Sequence, residues 1–320
     1  MKIKVHFFIK PQVQISIILA VLLFIFSVNN TAFSQKINSS NLLQQMSSNL
    51  TSSSNKTLKT NDTQSALIVK LLSNNLENRL QKAAAILNIT SKLPQVRNLS
   101  YAHLLNQTLT TLHGISKEAD LEKRQIAQNI LSNYRDFQII IFIMPSGDIY
   151  FDEPYSRQQI STTSNLAFRD YFQAAVRSNV IYLGDPSTSA SSGQRQSVIA
   201  VPVYSLKDNS TLVGIWAGGM DFDVLNKELQ SLNLTSLDGN TRVVYVGHNG
   251  QKIADSDISK SKTPESFASL NSFKYAINGQ SGSTTDEVNK TKMLVTYQPV
   301  KVFHNTWVVL FMQPNNTTLN

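Results

Sequence analysis

The chain of 320 residues contains no cysteine. Disulfides, thiol catalysis and cysteine-bound metal clusters are therefore excluded, and stability has to come from packing. Charge is also scarce: 16% of residues are Asp, Glu, Lys or Arg, against 41% hydrophobic. The interior is ordinary, and surface polarity falls to Ser, Thr and Asn. The histidines, His6, His103, His113, His248 and His304, have no ligand spacing and no acidic cluster beside them. Neither a metal site nor a cofactor is expected. There is no G-x-S-x-G, P-loop or G-x-G-x-x-G, and no carboxylate pair in a shared context, so nothing points to an enzyme.

The net charge is +8, but the charges are scattered and no basic stripe is interleaved with aromatics. Nucleic acid is not an expected partner. The clearest bias is at the start, where Lys2, Lys4 and Lys10 precede the first acidic residue, Asp62. Behind them lies the uncharged apolar run of residues 15–28. This is the layout of a signal peptide or a signal anchor. Ala32-Phe33-Ser34 supplies a small-x-small cleavage site, whereas the uncharged flanks through Phe33 would let the segment span. Both readings stay open, and both export the remainder of the chain: to the membrane surface if the anchor is kept, to the outside if it is cleaved. Thirteen N-x-S/T sequons, among them Asn98, Asn106, Asn209 and Asn289, accord with an exported glycoprotein.

Residues 35–63 are rich in Ser, Asn and Thr and read as a linker. Residues 64–136 form a long helical segment. Within it Val69, Leu72, Leu76, Leu80, Ala83 and Leu87 recur at helical spacing over 64–90, ahead of Pro94, and a second helix spans about 117–134. Residues 137–144 (FQIIIFIM) then read as a strand buried on both faces, followed by the turn Pro145-Ser146-Gly147-Asp148 and a return strand from Ile149. A helix over 165–177 and strands over 198–204 and 211–218 complete a first lobe, 137–235. A second lobe, 236–314, repeats the plan: strands 242–246 and 251–254 around His248-Asn249-Gly250, a helix over 270–278, and strands 293–299 and 306–312. The fold class is α+β, a long N-terminal helix followed by two stacked lobes with antiparallel sheets. Residues 315–320 are a tail.

In order and spacing these pieces resemble the double Cache family, PAS-like extracytoplasmic sensor modules of chemoreceptors and sensor kinases. The matching stretches are Gly147-Asp148-Ile149-Tyr150, the run from Phe168 to Ala175, Tyr182-Leu183-Gly184-Asp185-Pro186, the run from Val198 to Tyr204, and the run from Gly214 to Asp221. In the second lobe they are the run from Val244 to Ala254 and Thr306-Trp307-Val308-Val309-Leu310. The resemblance implies two stacked PAS-like lobes, of which the first, membrane-distal, holds the ligand.

It also implies a site. In amino-acid-binding members an Arg followed by two aromatics holds the ligand carboxylate, which here would be Arg169, Tyr171 and Phe172. Tyr182 and Asp185 belong to the same constellation. The family's Tyr-x-Asp stands here as Ser187-Thr188-Ser189, and its strand-end acid falls on Gly219 or, two residues on, Asp221. A guanidinium forks onto a carboxylate, but serine hydroxyls cannot neutralise an ammonium. The expected ligand is a small anionic metabolite, a carboxylate, not an α-amino acid. Trp216, on the opposite strand face from Gly219, is expected to pack on a helix, and Trp307 to sit in the second core.

The functional expectation is a sensor in signal transduction or chemotaxis, working through a separate membrane signalling protein because the chain ends just after the last strand. The alternative is a surface-attached or secreted binding or scaffold protein. The apolar seam of the long helix either packs along the lobes or pairs across a homodimer.

Overall fold

The computed structural model describes residues 59–232 and 241–315. The leader (1–34), most of the linker and residues 316–320 of the tail lie outside these residues. The long helix, α1 (Lys59–Ser91), begins within the stretch expected to be linker. It is followed by α2 (Pro94–Arg97), a short 3-10 turn, α3 (Leu105–Leu112) and α4 (Leu121–Asn133). The 64–136 segment is therefore one long helix and three shorter ones. Every member of the predicted α1 seam is buried. The helix packs on strands of both lobes, so the seam runs along the lobes.

The first lobe comprises β1 (Phe137–Ile143), β2 (Ile149–Glu153), α5 (Tyr155–Gln159), α6 (Asp170–Ser178), the short strands β3 (Tyr182–Leu183), β4 (Ser187–Thr188) and β5 (Arg195–Gln196), then β6 (Val198–Tyr204), β7 (Leu212–Met220) and α7 (Phe222–Gln230). Its antiparallel sheet has the order β2-β1-β7-β6-β3, and β4 pairs with β5 as a separate hairpin. As the unbroken apolar run predicts, β1 is covered on both faces. One face carries the core of Ile139, Ile141 and Ile215 under α6. On the other Trp216 is fully buried, its Nε1 donating to Thr90 Oγ1 of α1 at 3.0 Å. Trp216 packs on the long helix, as period-two counting predicts.

The second lobe holds β8 (Arg242–Val246), β9 (Lys252–Asp255), α8 (Asn271–Ile277), β10 (Gly282–Val288), β11 (Thr291–Val302) and β12 (Asn305–Pro314). Its sheet order is β10-β11-β12-β8-β9, the order of the first lobe read from the other edge. Trp307 is fully buried there.

The repeat extends to single positions. Gly147 and Gly250 both turn the opening hairpin at positive φ, +89° and +79°. A β-carbon at either would sit 2.5 or 2.6 Å from the β-carbon of Ala167 or Ala268, so both the turn and the close approach require glycine. The Leu166 N–H bonds the Gly147 carbonyl and the Phe267 N–H that of Gly250. Three residues later each chain enters its helix, from Arg169 in the first lobe and from Leu270 in the second.

Candidate functional site

That correspondence separates the lobes chemically. Leu270 is buried and belongs to a core with Phe273, Ala276 and Tyr297. Arg169 stands at the equivalent place in the first lobe and opens a cavity instead of filling it. Its backbone is extended (φ −73°, ψ 138°) just before α6, which turns the side chain toward the β4–β5 hairpin. Nη2 donates to the Thr188 carbonyl at 2.8 Å, and the guanidinium lies 4.8 Å from the Phe168 ring centroid.

The cavity has an apolar floor of Ile139, Ile141, Ile149 and Leu166, under a rim of Ser187, Ser189 and Ser191 from the hairpin. Its space for the centres of water molecules is about 20 Å³, room for roughly one water. As the side chains stand, that space is smaller than a short carboxylate or an amino acid. Ser189 Oγ already lies 3.2 Å from Ser191 Oγ, and Ser161 Oγ donates to the Thr163 carbonyl, so these hydroxyls are partly committed.

Of the residues predicted for the site, Arg169, Tyr171, Ser187 and Ser189 line this cavity. Gly219 lies beneath it: a β-carbon there would come within 2.6 Å of Ile139 Cγ2 and of Gln196 Oε1, both side chains of the lining. Tyr171 is buried, and burial, with Asp152 and Asp170 nearby, pushes its hydroxyl pKa up against the pull of Arg169. Phe172 and Tyr182 belong to the surrounding core rather than the lining. Asp185 lies on the loop after β3 and its backbone N–H is held by Asp170. Asp221 serves the backbone instead, its carboxylate accepting the Asp223 N–H at 2.9 Å and capping α7. Asp221 is not among the residues that line the cavity.

Two cavity residues escape the sequence reading. Gln196 is buried, on β5. Asp152, on β2, is 2% exposed, and its Oδ1 has no hydrogen-bond partner among the described residues. Burial pushes its carboxyl up to about 7, Arg124 and Arg157 pulling the other way and Glu153 adding to the rise. The adjacent Glu153 is equally buried but paired, its Oε1 2.7 Å from Arg124 Nη1. One carboxylate of the Asp-Glu pair is thus neutralised by α4, while the other faces the cavity alone. The signal was the acidic pair closing an apolar strand; which member would be paired depends on Arg124, on a helix earlier in the chain.

Among the described residues no helix is long and apolar enough to cross a membrane. A family model described as a Cache domain matches residues 37–320. No curated protein matches the chain. Among solved structures, the periplasmic sensory domain of the Campylobacter jejuni chemoreceptor Tlp1 superposes with a TM-score of 0.56 at 15% identity, over 82% of this chain and 99% of that one. The ligand-binding domain of the Pseudomonas fluorescens chemoreceptor CtaA, in complex with L-isoleucine, gives 0.55 at 14% identity, over 80% and 92%. That of the Pseudomonas aeruginosa amino acid chemoreceptor PctB, with L-Gln, gives 0.51 at 16%, over 79% and 91%. At these identities the likeness is one of fold.

Proposed function

We propose that this chain, which belongs to the Cache domain family, is the small-molecule-binding part of an extracytoplasmic sensing system, with its ligand in the first-lobe cavity. The observation that carries this reading is the pairing of a guanidinium with a buried, unpartnered carboxyl around one cavity, at a place where the second lobe has Leu270. A buried polar atom without a partner costs stability unless something fills the gap. Arg169 suits a carboxylate or other anion. Asp152 suits an ammonium or another N–H donor.

Asp152 also widens the ligand class. Reasoning from the serines alone gives an anion and nothing more, whereas an acid in the cavity restores the means to bind a positive group. The ligand is a small acid that also carries an amine or N–H donor. The amino acids bound by the CtaA and PctB domains fall in that class. Output passes to a membrane signalling partner.

The test is calorimetry of the full-length chain with the twenty L-amino acids, simple amines, and mono- and dicarboxylates of three to five carbons. The tightest ligand should carry both charges and lose binding in both Arg169→Ala and Asp152→Asn. A plain dicarboxylate that binds best and ignores Asp152→Asn would return the ligand to a simple anion. Binding unaffected by Arg169→Ala would overturn the site.

A further inference from the structure

Gln196 is buried, lines the cavity, and lies with its carboxamide across Gly219. Any side chain at 219 would collide with it, so the glycine is what lets the amide lie there. Which end of the amide meets the cavity is decided two residues away. Arg157 can only donate, and its Nη2 reaches Gln138 Oε1 at 3.0 Å. The Met220 carbonyl can only accept, and it stands 3.4 Å from Gln138 Nε2. These two single-role partners hold Gln138 in one orientation. Its Nε2 therefore donates to Gln196 Oε1, at 3.2 Å. With Oε1 so engaged, Gln196 Nε2 is left without a hydrogen-bond partner among the described residues.

We infer that Gln196 is a ligand-binding residue that offers an N–H donor to an acceptor oxygen of the ligand, and that Gln138 and Arg157 are positioning residues that set the polarity of its amide. This rests on the cavity being the ligand site. The site then sets donors from Arg169 and Gln196 beside the unpaired acid Asp152. It selects a ligand with acceptor oxygens for both donors and a single donor group for the acid.

Gln138→Glu tests the relay directly. A carboxylate at 138 still accepts from Arg157 but can only accept from residue 196, so the Gln196 amide has to turn over and put Oε1 into the cavity. The atoms stay in place and the polarity reverses. In calorimetry of the full-length chain with L-amino acids and short carboxylates, the tightest carboxylate-bearing probe should weaken about tenfold in Gln138→Glu and in Gln196→Leu. The double variant should be no weaker than either single one, because both remove the same N–H. Gln138→Met, which frees the amide without adding charge, should weaken binding by a smaller factor with the melting temperature held. Losses that multiply in the double variant would overturn the relay. Affinity within twofold of wild type in Gln196→Leu would overturn the inference, and a loss in Arg169→Ala would still leave the cavity as the ligand site. Binding indifferent to Arg169→Ala, or absent for every probe, would overturn both.

Discussion

The Asp170 carboxylate accepts the backbone N–H of Asp185 at 2.7 Å, so the first residue of α6 holds the loop that leads from β3 to the cavity rim. The other side of that loop meets the second lobe. Asn305 Nδ2 donates to the Leu183 carbonyl, and the Pro186 ring lies 2.7 Å from where a β-carbon on Gly247 would sit. Residues 183–188 are thus gripped by the cavity helix at one side and by the opening hairpin and β12 of the second lobe at the other. Arg169 holds the end of the same strap through Thr188.

If the strap carries ligand occupancy to the second lobe, Asp170→Ala should leave affinity within about threefold while abolishing the ligand-induced change in hydrogen exchange over residues 247–250. A change that persists in the variant would show that coupling runs elsewhere, for example along α1. Gly247→Val, which drives a side chain into Pro186, should destabilise by about 1–3 kcal/mol in denaturant unfolding.

The buried acid gives a pH dependence of definite sign. Burial raises Asp152 from 3.8 to about 7. Between those values the folded state keeps a proton that the unfolded chain has released, so this group's contribution is complete below 3.8 and is lost as pH rises through about 7. The loss is on the order of 4 kcal/mol at most. Asp152→Asn should flatten the melting-temperature profile from pH 4 to 7 and be more stable than wild type above it. A ligand whose positive group meets Asp152 needs the ionised form. Its affinity should rise with pH by up to about tenfold per unit below 7 and level off above. Affinity that falls over that range would place a neutral or anionic group there.

Arg169 and Leu270 occupy the same position of the repeat, and exchanging them separates binding from stability. Arg169→Leu should fold with stability within about 1 kcal/mol of wild type and bind none of the probes. Leu270→Arg places a guanidinium among Phe273, Ala276 and Tyr297, where the buried acid at the start of α8, Asp286, is already engaged by the Asn271 and Ser272 N–H groups, and should cost about 3–5 kcal/mol. Denaturant titration of the two variants checks the asymmetry. Equal costs would mean that the second lobe also has room for a polar group.

A residue's part in the fold is legible in the sequence when it is local. The α1 seam, the buried β1 and the helix-facing Trp216 follow from periodicity, because each depends only on which face a side chain takes. β10 does not: its residues, GSTTDEV, form an edge strand exposed along most of its length, so no apolar alternation marks it. Only Asp286 is buried there, accepting the Asn271 and Ser272 N–H groups at the start of α8. Asp221 was legible as a cap, since Phe222, Leu225 and Leu229 after it carry the helical apolar period; the family resemblance drew it to the cavity instead. Asp152 and Gln196 were not legible, because their roles depend on Arg124, Arg157 and Gln138, which only the fold brings near.

The bond between Trp216 and Thr90 is a buried polar tie between α1 and the first lobe, in addition to the apolar seam and the Arg79–Glu228 ion pair. Both residues are almost wholly buried, and Thr90 Oγ1 also donates to the Ile86 carbonyl at 2.7 Å. Thr90→Val keeps the shape and removes the acceptor, leaving the indole N–H buried without a partner. The cost should be about 1–3 kcal/mol. Thr90→Ser keeps the acceptor and loses one methyl, about 1 kcal/mol. Denaturant unfolding should therefore rank wild type above Ser and Ser above Val. The reverse order would mean that the methyl packing, rather than the hydrogen bond, holds the helix against the sheet.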